Sequence, residues 1–215
     1  MRRVVIAAAD ASRESLERGG QRFYAVLVTL TYKAAEGEGA WSSRDVTEYV
    51  KTVREWLRRR AVALRYQWCI ELQQSGRPHY HLIFWLPKGT RIPKPDSSGQ
   101  WTKGMSNVKV ATRPVGYLVK YVSKGSTESQ FPKGARLFGT GAPEADVKLA
   151  AHRAGLPIWL LSKIGPCSRA RKLSSRVVRL GWQDSETSEV FPSPYEVAFG
   201  RDDWGFVVIT IIERG

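Results

Sequence analysis

"LRYQWCIELQQSGRPHYHLIFWLP", residues 64–87, is the stretch on which the reading of this chain turns. "LRYQWCIEL" (64–72) and "HYHLIFWL" (79–86) are aromatic and aliphatic runs of strand length, and "QQSGRP" between them is a turn by composition. Together they read as a β-hairpin. Alternate strand residues share a face. His79 and His81 therefore point one way, and Tyr80, Leu82 and Phe84 point the other way and can build a core. On the first strand Trp68, Ile70 and Leu72 alternate with Cys69, Glu71 and Gln73. With the apolar sets of both strands turned to the core, Glu71 falls on the side of the two histidines. The chain has only three histidines, so two of them on one strand face invite a chemical reading. Two imidazoles and a carboxylate make a three-ligand site for a divalent metal, with positions open to substrate. Gln73 has the same parity as Glu71 but lies nearer the turn, and stays open as the third ligand.

Working outward, "RFYAVLVTLTY" (22–32) is long, apolar and free of Gly and Pro, as expected of a central strand. "SSRDVTEYVKTVREWLRRR" (42–60) reads as an amphipathic helix. Val46, Tyr49, Val50, Val53 and Leu57 form one face, Ser42 or Ser43 can cap it, and Asp45 stands where a capping box would put it. A Pro-, Gly-, Ser- and Lys-rich loop covers about 87–106, and "NVKVAT" is a short strand. "PVGYLVKYVSKG" (114–125) is a helix between Pro114 and Gly125.

At 100° per residue, Tyr117, Tyr121, Lys120 and Lys124 occupy an arc of about 100°. Leu118, Val119 and Val122 lie opposite and are expected to pack on a sheet. Phenols can act as oxygen nucleophiles once their proton is removed. Ammonium groups offset charge that builds on phosphate oxygens. A helix with this face set over a metal site suits phosphodiester chemistry.

The totals agree with that substrate. The 215 residues carry a net charge of +14 at a pI of about 10.1, which favours a polyanionic partner. Residues 181–215 hold seven acidic and two basic side chains, so the first 180 carry +19. Two cysteines make neither a disulfide framework nor a cysteine zinc site. No apolar run approaches the ~20 residues of a membrane span, and "VVIAAA" near the N-terminus is too short for a signal core. The expectation is a protein of a reducing cytoplasm, with no membrane partner.

In order, "FYAVLVTLTY", "RPHYHLIFW" and "YLVKYVSK" resemble the three motifs of rolling-circle replication initiators. These belong to the His-hydrophobic-His (HUH) endonucleases. The Tyr-x-x-x-Tyr pair with its lysines is similar to the two-tyrosine initiators of single-stranded DNA phages, prophages and related plasmids. The resemblance covers about residues 22–125.

It implies an α+β fold: a central antiparallel sheet of about five strands with flanking helices, related to RNA-recognition and ferredoxin-like folds, the helices on one side. It implies Mg²⁺ or Mn²⁺ held by His79, His81 and Glu71. Tyr117 and Tyr121, aided by Lys120 and Lys124, would be the nucleophiles that nick and rejoin single-stranded origin DNA through a 5′-phosphotyrosine bond. A host helicase and DNA polymerase in a bacterial cytoplasm would be the partners, since no Walker-type phosphate loop is visible.

In domain terms, residues 1–20 read as a polar, flexible or helical lead-in, 21–127 as the catalytic core, and 128–215 as a C-terminal extension. The extension contains a basic stretch at 163–180, whose Arg169, Arg171, Lys172 and Arg176 are candidate DNA contacts. An acidic tail follows, with a terminal strand at 204–212. Other readings are an HUH transposase or relaxase and a non-catalytic nucleic-acid-binding module. The tyrosine pair argues against the transposase, and the motif order against the relaxase.

Overall fold

The structure, a computed structural model, describes residues 2–33, 41–73, 77–123, 131, 136–173, 181–201 and 207–213. The chain divides into two compact units, Met1–Gly155 and Leu156–Gly215.

The first unit is built on the expected hairpin. Strands β2 (Arg65–Leu72) and β3 (Pro78–Pro87) pair antiparallel, with Glu71 opposite His79 and Cys69 opposite His81. Strand β1 (Phe23–Thr31) lies on the other side of β3, with Thr29 opposite His81. Strand β4 (Ser106–Ala111) flanks β1, and β5 (Phe138–Gly141) flanks β2. The result is one five-stranded antiparallel sheet in the order β4-β1-β3-β2-β5. With its helices it is the α+β, RNA-recognition-like architecture expected.

Strand parity sorts the core into two layers. Val26, Val28, Leu30, Trp68, Ile70, Tyr80, Leu82, Phe84 and Leu86 face helix α2 (Asp45–Arg58) and meet its Val46, Tyr49, Val50, Val53 and Leu57. The helix starts where the capping box was read: the Asp45 carboxylate accepts the Ser42 N–H at 3.1 Å and the Tyr32 hydroxyl at 2.9 Å. Trp101, in the loop before β4, is buried against Tyr32 and Tyr49 and donates its indole N–H to the Thr31 carbonyl.

The opposite face, which carries the histidines, is also covered. Helices thus flank both sides of the sheet rather than the one side expected. Helix α1 (Arg2–Arg18) buries Val5, Ala8, Ala9, Ser12 and Leu16, a single helical face by spacing. The first twenty residues are therefore part of the packed unit. Gln67 ties α1 to the sheet: its side-chain amide donates to the Ala8 carbonyl (3.3 Å) and the Ser12 hydroxyl (3.2 Å), and its carbonyl accepts the Trp85 indole N–H at 2.7 Å. Helix α3 (Pro114–Ser123) lies on the same face. Strand β5 and helix α4 (Ala145–Gly155), placed by the sequence reading in the C-terminal extension, belong to this unit. β5 takes the edge of β2 that would otherwise stay unpaired, and α4 packs on α1, with an ion pair between Arg18 and Asp146.

The second unit holds helix α5 (Ile158–Leu161), a small sheet of β6 (Ala170–Leu173), β7 (Gly181–Asp184) and β8 (Val190–Phe191), and a hairpin of β9 (Tyr195–Arg201) and β10 (Val207–Glu213). Its core is Leu156, Leu160, Ile164, Ala170 and Phe191. The expected terminal strand is β10. Among the described residues, no helix is long and apolar enough to cross a membrane.

Candidate active site

The site starts from one strand. In β3 the alternation places His79 and His81 on the α1/α3 face and Tyr80 in the opposite core, where its hydroxyl accepts the Trp41 indole N–H at 2.8 Å. His81 is buried, with its side chain 4% exposed. Both of its nitrogens face polar groups. Nε2 lies 3.0 Å from Glu71 Oε2. Nδ1 lies 3.4 Å from the Tyr117 hydroxyl and 3.5 Å from Thr29 Oγ1.

Helix α3 lays its two tyrosines on this histidine. Tyr121 stacks on the imidazole, with centroids 3.6 Å apart and planes 20° from parallel. The Tyr117 ring meets the same imidazole at 70° and 5.8 Å, and the two phenol rings are 4.7 Å apart. The packing face of α3 is therefore Tyr117, Leu118 and Tyr121, rotated from the Leu118, Val119 and Val122 face expected. Leu118 is buried and anchors the turn. The reason is local: His81 offers the tyrosines a flat partner, whereas an aliphatic side chain there would have left the phenols nothing to stack on. Lys120 points to solvent and passes its ammonium 5.7 Å from the Tyr121 ring centre. Lys124 lies outside the described residues.

Glu71 is the carboxylate that reaches His81, whereas Gln73 is exposed beyond the end of β2, where its backbone N–H bonds the Arg77 carbonyl. His79 is half-buried directly opposite Glu71, its ring centre 6.3 Å from that of His81. Burial lowers the His79 pKa and Arg77 adds to this, against the opposing pull of the Glu71 carboxylate. A neutral imidazole is the form that ligates a metal.

The donor set suits a divalent ion in kind: two imidazoles and a carboxylate on one face. The side chains are not gathered as a cage, because Glu71 and His81 are closed on each other. Among the described residues, no group of three or more His, Cys, Asp or Glu side chains stands close enough to hold a metal.

Burial raises the Tyr117 pKa well above the ordinary phenol value, and its hydrogen bond with Tyr121 adds to this. In this arrangement Tyr117 is a protonated phenol. Cys69, directly opposite His81 in the register and fully buried, is pushed up to about 12 by burial and the nearby Glu71 charge, so it is no nucleophile. Thr29 is the site residue the sequence reading missed. Its signal was available in "LVTLTY", where a hydroxyl shares the parity of Ala25 and Leu27 and sits opposite His81.

The four candidate DNA contacts belong to the second unit. Arg169, Arg171 and Lys172 are exposed at β6, and Arg171 donates to Gln183 Oε1 from both Nε (2.9 Å) and Nη2 (2.6 Å). Arg176 lies outside the described residues.

A five-stranded antiparallel sheet with a His-x-His strand beneath a two-tyrosine helix is the arrangement the sequence resemblance implied for a replication initiator. Residues 25–126 match the replication-associated protein ORF2 family. Over that stretch, just under half of the chain, the protein is similar to Rep proteins of rolling-circle replication, and the stretch contains Glu71, both strand histidines and both tyrosines. No curated protein and no solved structure matches the chain.

Proposed function

We propose that the chain is a metal-dependent, site-specific nickase and strand transferase for single-stranded origin DNA, initiating rolling-circle replication of a phage, prophage or plasmid. The observation that carries this reading is the contact of both α3 tyrosines with His81, whose other nitrogen meets Glu71. A purely structural histidine would need one such partner; here two potential nucleophiles and a potential ligand converge on a single imidazole.

Glu71, His79 and His81 would hold Mg²⁺ or Mn²⁺, which when bound supplies polarisation of the scissile phosphate. Accepting it requires the Glu71–His81 hydrogen bond to be released. One tyrosine oxygen forms a bond to phosphorus while the bond from phosphorus to the 3′-oxygen breaks. The phenol proton is lost, and the departing 3′-oxygen takes up a proton to leave a free 3′-OH and a 5′-phosphotyrosine. The second tyrosine, one helical turn away, repeats the transfer on the regenerated origin. Lys120 sits where an ammonium can offset phosphate charge. The free 3′-OH is the primer a host polymerase would extend behind a host helicase.

The test is a denaturing gel of the full chain with single-stranded origin-like oligonucleotides and Mn²⁺. The expected result is a covalent protein–DNA band that EDTA removes. It persists in Tyr117→Phe and in Tyr121→Phe, and is lost in the double variant. Tight binding with no band on any candidate origin would overturn the enzymatic reading in favour of a binding module.

A further inference from the structure

The sheet carries a second basic concavity, away from the tyrosines. A groove of about 1140 Å³ opens where β1 begins, β3 ends and the outer strand β4 runs past them. Its floor is apolar: Tyr24, Val26, Val108 and Val110. Val110 is 67% exposed although it sits in a strand. Cross-strand register pairs Val26 with both Phe84 and Val110, and Val28 with both Leu82 and Val108, so these floor residues belong to the sheet face opposite the histidines. Tyr24 lies five residues along β1 from Thr29, about 17 Å at roughly 3.3 Å per residue. The groove is therefore separate from the candidate active site.

Its rim is cationic. Arg22, Lys88, Arg91 and Lys109 line it, against the single carboxylate of Glu17. None of these four cations makes a salt bridge among the described residues, unlike Arg18, Arg58, Arg59 and Arg65 elsewhere in the unit. Two rim positions are glycines with left-handed backbone: Gly20 at φ +64° and Gly89 at φ +98°, with open space where a Cβ would stand. Such positions let a ligand approach the backbone closely. The volume exceeds the roughly 300–1,000 Å³ of an ordinary small-molecule pocket, and it is open along one side of the sheet.

We infer that this groove is a second binding track for single-stranded DNA, holding a run of nucleotides outside the cleavage site. Phosphates would meet the four unpaired cations, and unpaired bases would lie on the exposed apolar floor. That combination fits single strands, whose base faces are free, better than a duplex that hides them. The inference rests on the reading of the chain as a protein acting on single-stranded DNA. It adds a way for the protein to keep hold of DNA flanking the nick independently of any metal.

The experiment is fluorescence anisotropy of the full chain with a labelled 20-nucleotide oligo-dT in EDTA, across a salt series. It compares wild type, the triple variant Lys88→Ala/Arg91→Ala/Lys109→Ala, and a control with equal charge loss on other exposed surfaces, Arg44→Ala/Lys51→Ala/Lys148→Ala. The groove variant is expected to bind at least tenfold more weakly near physiological salt. Its slope of log K against log salt should be shallower by about 2, at about 0.7 per lost phosphate contact on single strands. Val110→Lys, which adds a cation to the floor, is expected to steepen the slope instead.

Equal affinity and slope in wild type and groove variant would overturn the inference. So would an equal loss in the control, or failure of the wild type to bind oligo-dT at all. Covalent adduct formation, measured in parallel, separates the two readings. An adduct with unchanged groove-variant binding sinks the groove alone. Groove-dependent binding with no adduct on any origin sinks the nickase alone.

Discussion

Tyr121 lies flat on His81, the ring centres 3.6 Å apart and the planes 20° from parallel. The contact joins α3 to β3 through side chains that the proposed chemistry also needs, so position and reactivity can be separated by choice of substituent. Tyr121→Phe keeps the ring and loses only the hydroxyl. Its unfolding free energy in urea is expected to stay within about 0.5 kcal/mol of wild type. Tyr121→Ala removes the stack and part of the packing over the sheet, with an expected loss of about 2 kcal/mol. Equal losses in the two variants would mean that the hydroxyl, not the ring, holds the helix down.

His79 makes stability depend on pH with a definite sign. Burial lowers its pKa below the ordinary 6.5, with Arg77 helping and Glu71 opposing. As pH falls through 6.5 the unfolded chain takes up this proton first, so the unfolded state gains. The group's contribution to stability is complete above pH 6.5. It declines as pH drops from 6.5 to the folded-state value, and changes no further below that. Urea midpoints measured from pH 8 to pH 5 should fall less steeply in His79→Gln than in wild type. Identical slopes would show that the imidazole is no better hydrated unfolded than folded.

The two cysteines should differ sharply in reactivity. Cys167 is exposed, whereas Cys69 is fully buried under the His81 side of the sheet with its thiol pushed up to about 12. Because the thiolate is the reactive form, native protein treated with iodoacetamide at pH 8 is expected to gain one carbamidomethyl group, on Cys167. The second should appear only in denaturant. Intact mass and peptide mapping read both steps, and early modification of Cys69 would mean that the sheet opens at β2 far more readily than its burial allows.

What could be read in advance follows from how local each signal was. The hairpin, its parity and the Glu71 side were legible because β periodicity is strict: one alternation fixes the face of every residue from 66 to 86. Helix α2 was legible for the same reason at helical spacing. Helix α1 was not. Its buried face is largely Ala8, Ala9 and Ser12 with Val5 and Leu16, small residues that carry little hydrophobic signal yet let a helix approach the sheet closely. β5, with the sequence "FGTG", lacked any strand signature. Its glycines are required by the neighbouring strand: a Cβ on Gly139 would stand 2.3 Å from the Trp68 indole, and one on Gly141 2.4 Å from the Tyr66 ring. The orientation of α3 depended on a partner 36 residues away, and no helical wheel contains that partner.

Gln67 provides the sharpest test of how α1 is held. It is fully buried, and its amide joins three groups from two elements: the Ala8 carbonyl and Ser12 hydroxyl on α1, and the Trp85 indole on β3. Gln67→Leu keeps the volume close but leaves the Trp85 N–H without its acceptor inside the protein. An unpaired buried donor costs roughly 1–3 kcal/mol, so the expected loss is about 2 kcal/mol by urea unfolding. Ser12→Ala removes only a hydroxyl whose own bond runs to Ala8 within the helix (2.7 Å), and should lose less. The decisive variant is Gln67→Leu/Trp85→Phe. Removing donor and acceptor together leaves no orphaned N–H, so the double variant should lose clearly less than the sum of the two single variants. Simple additivity would mean that the network contributes through packing alone and that its hydrogen bonds do not hold α1 to the sheet.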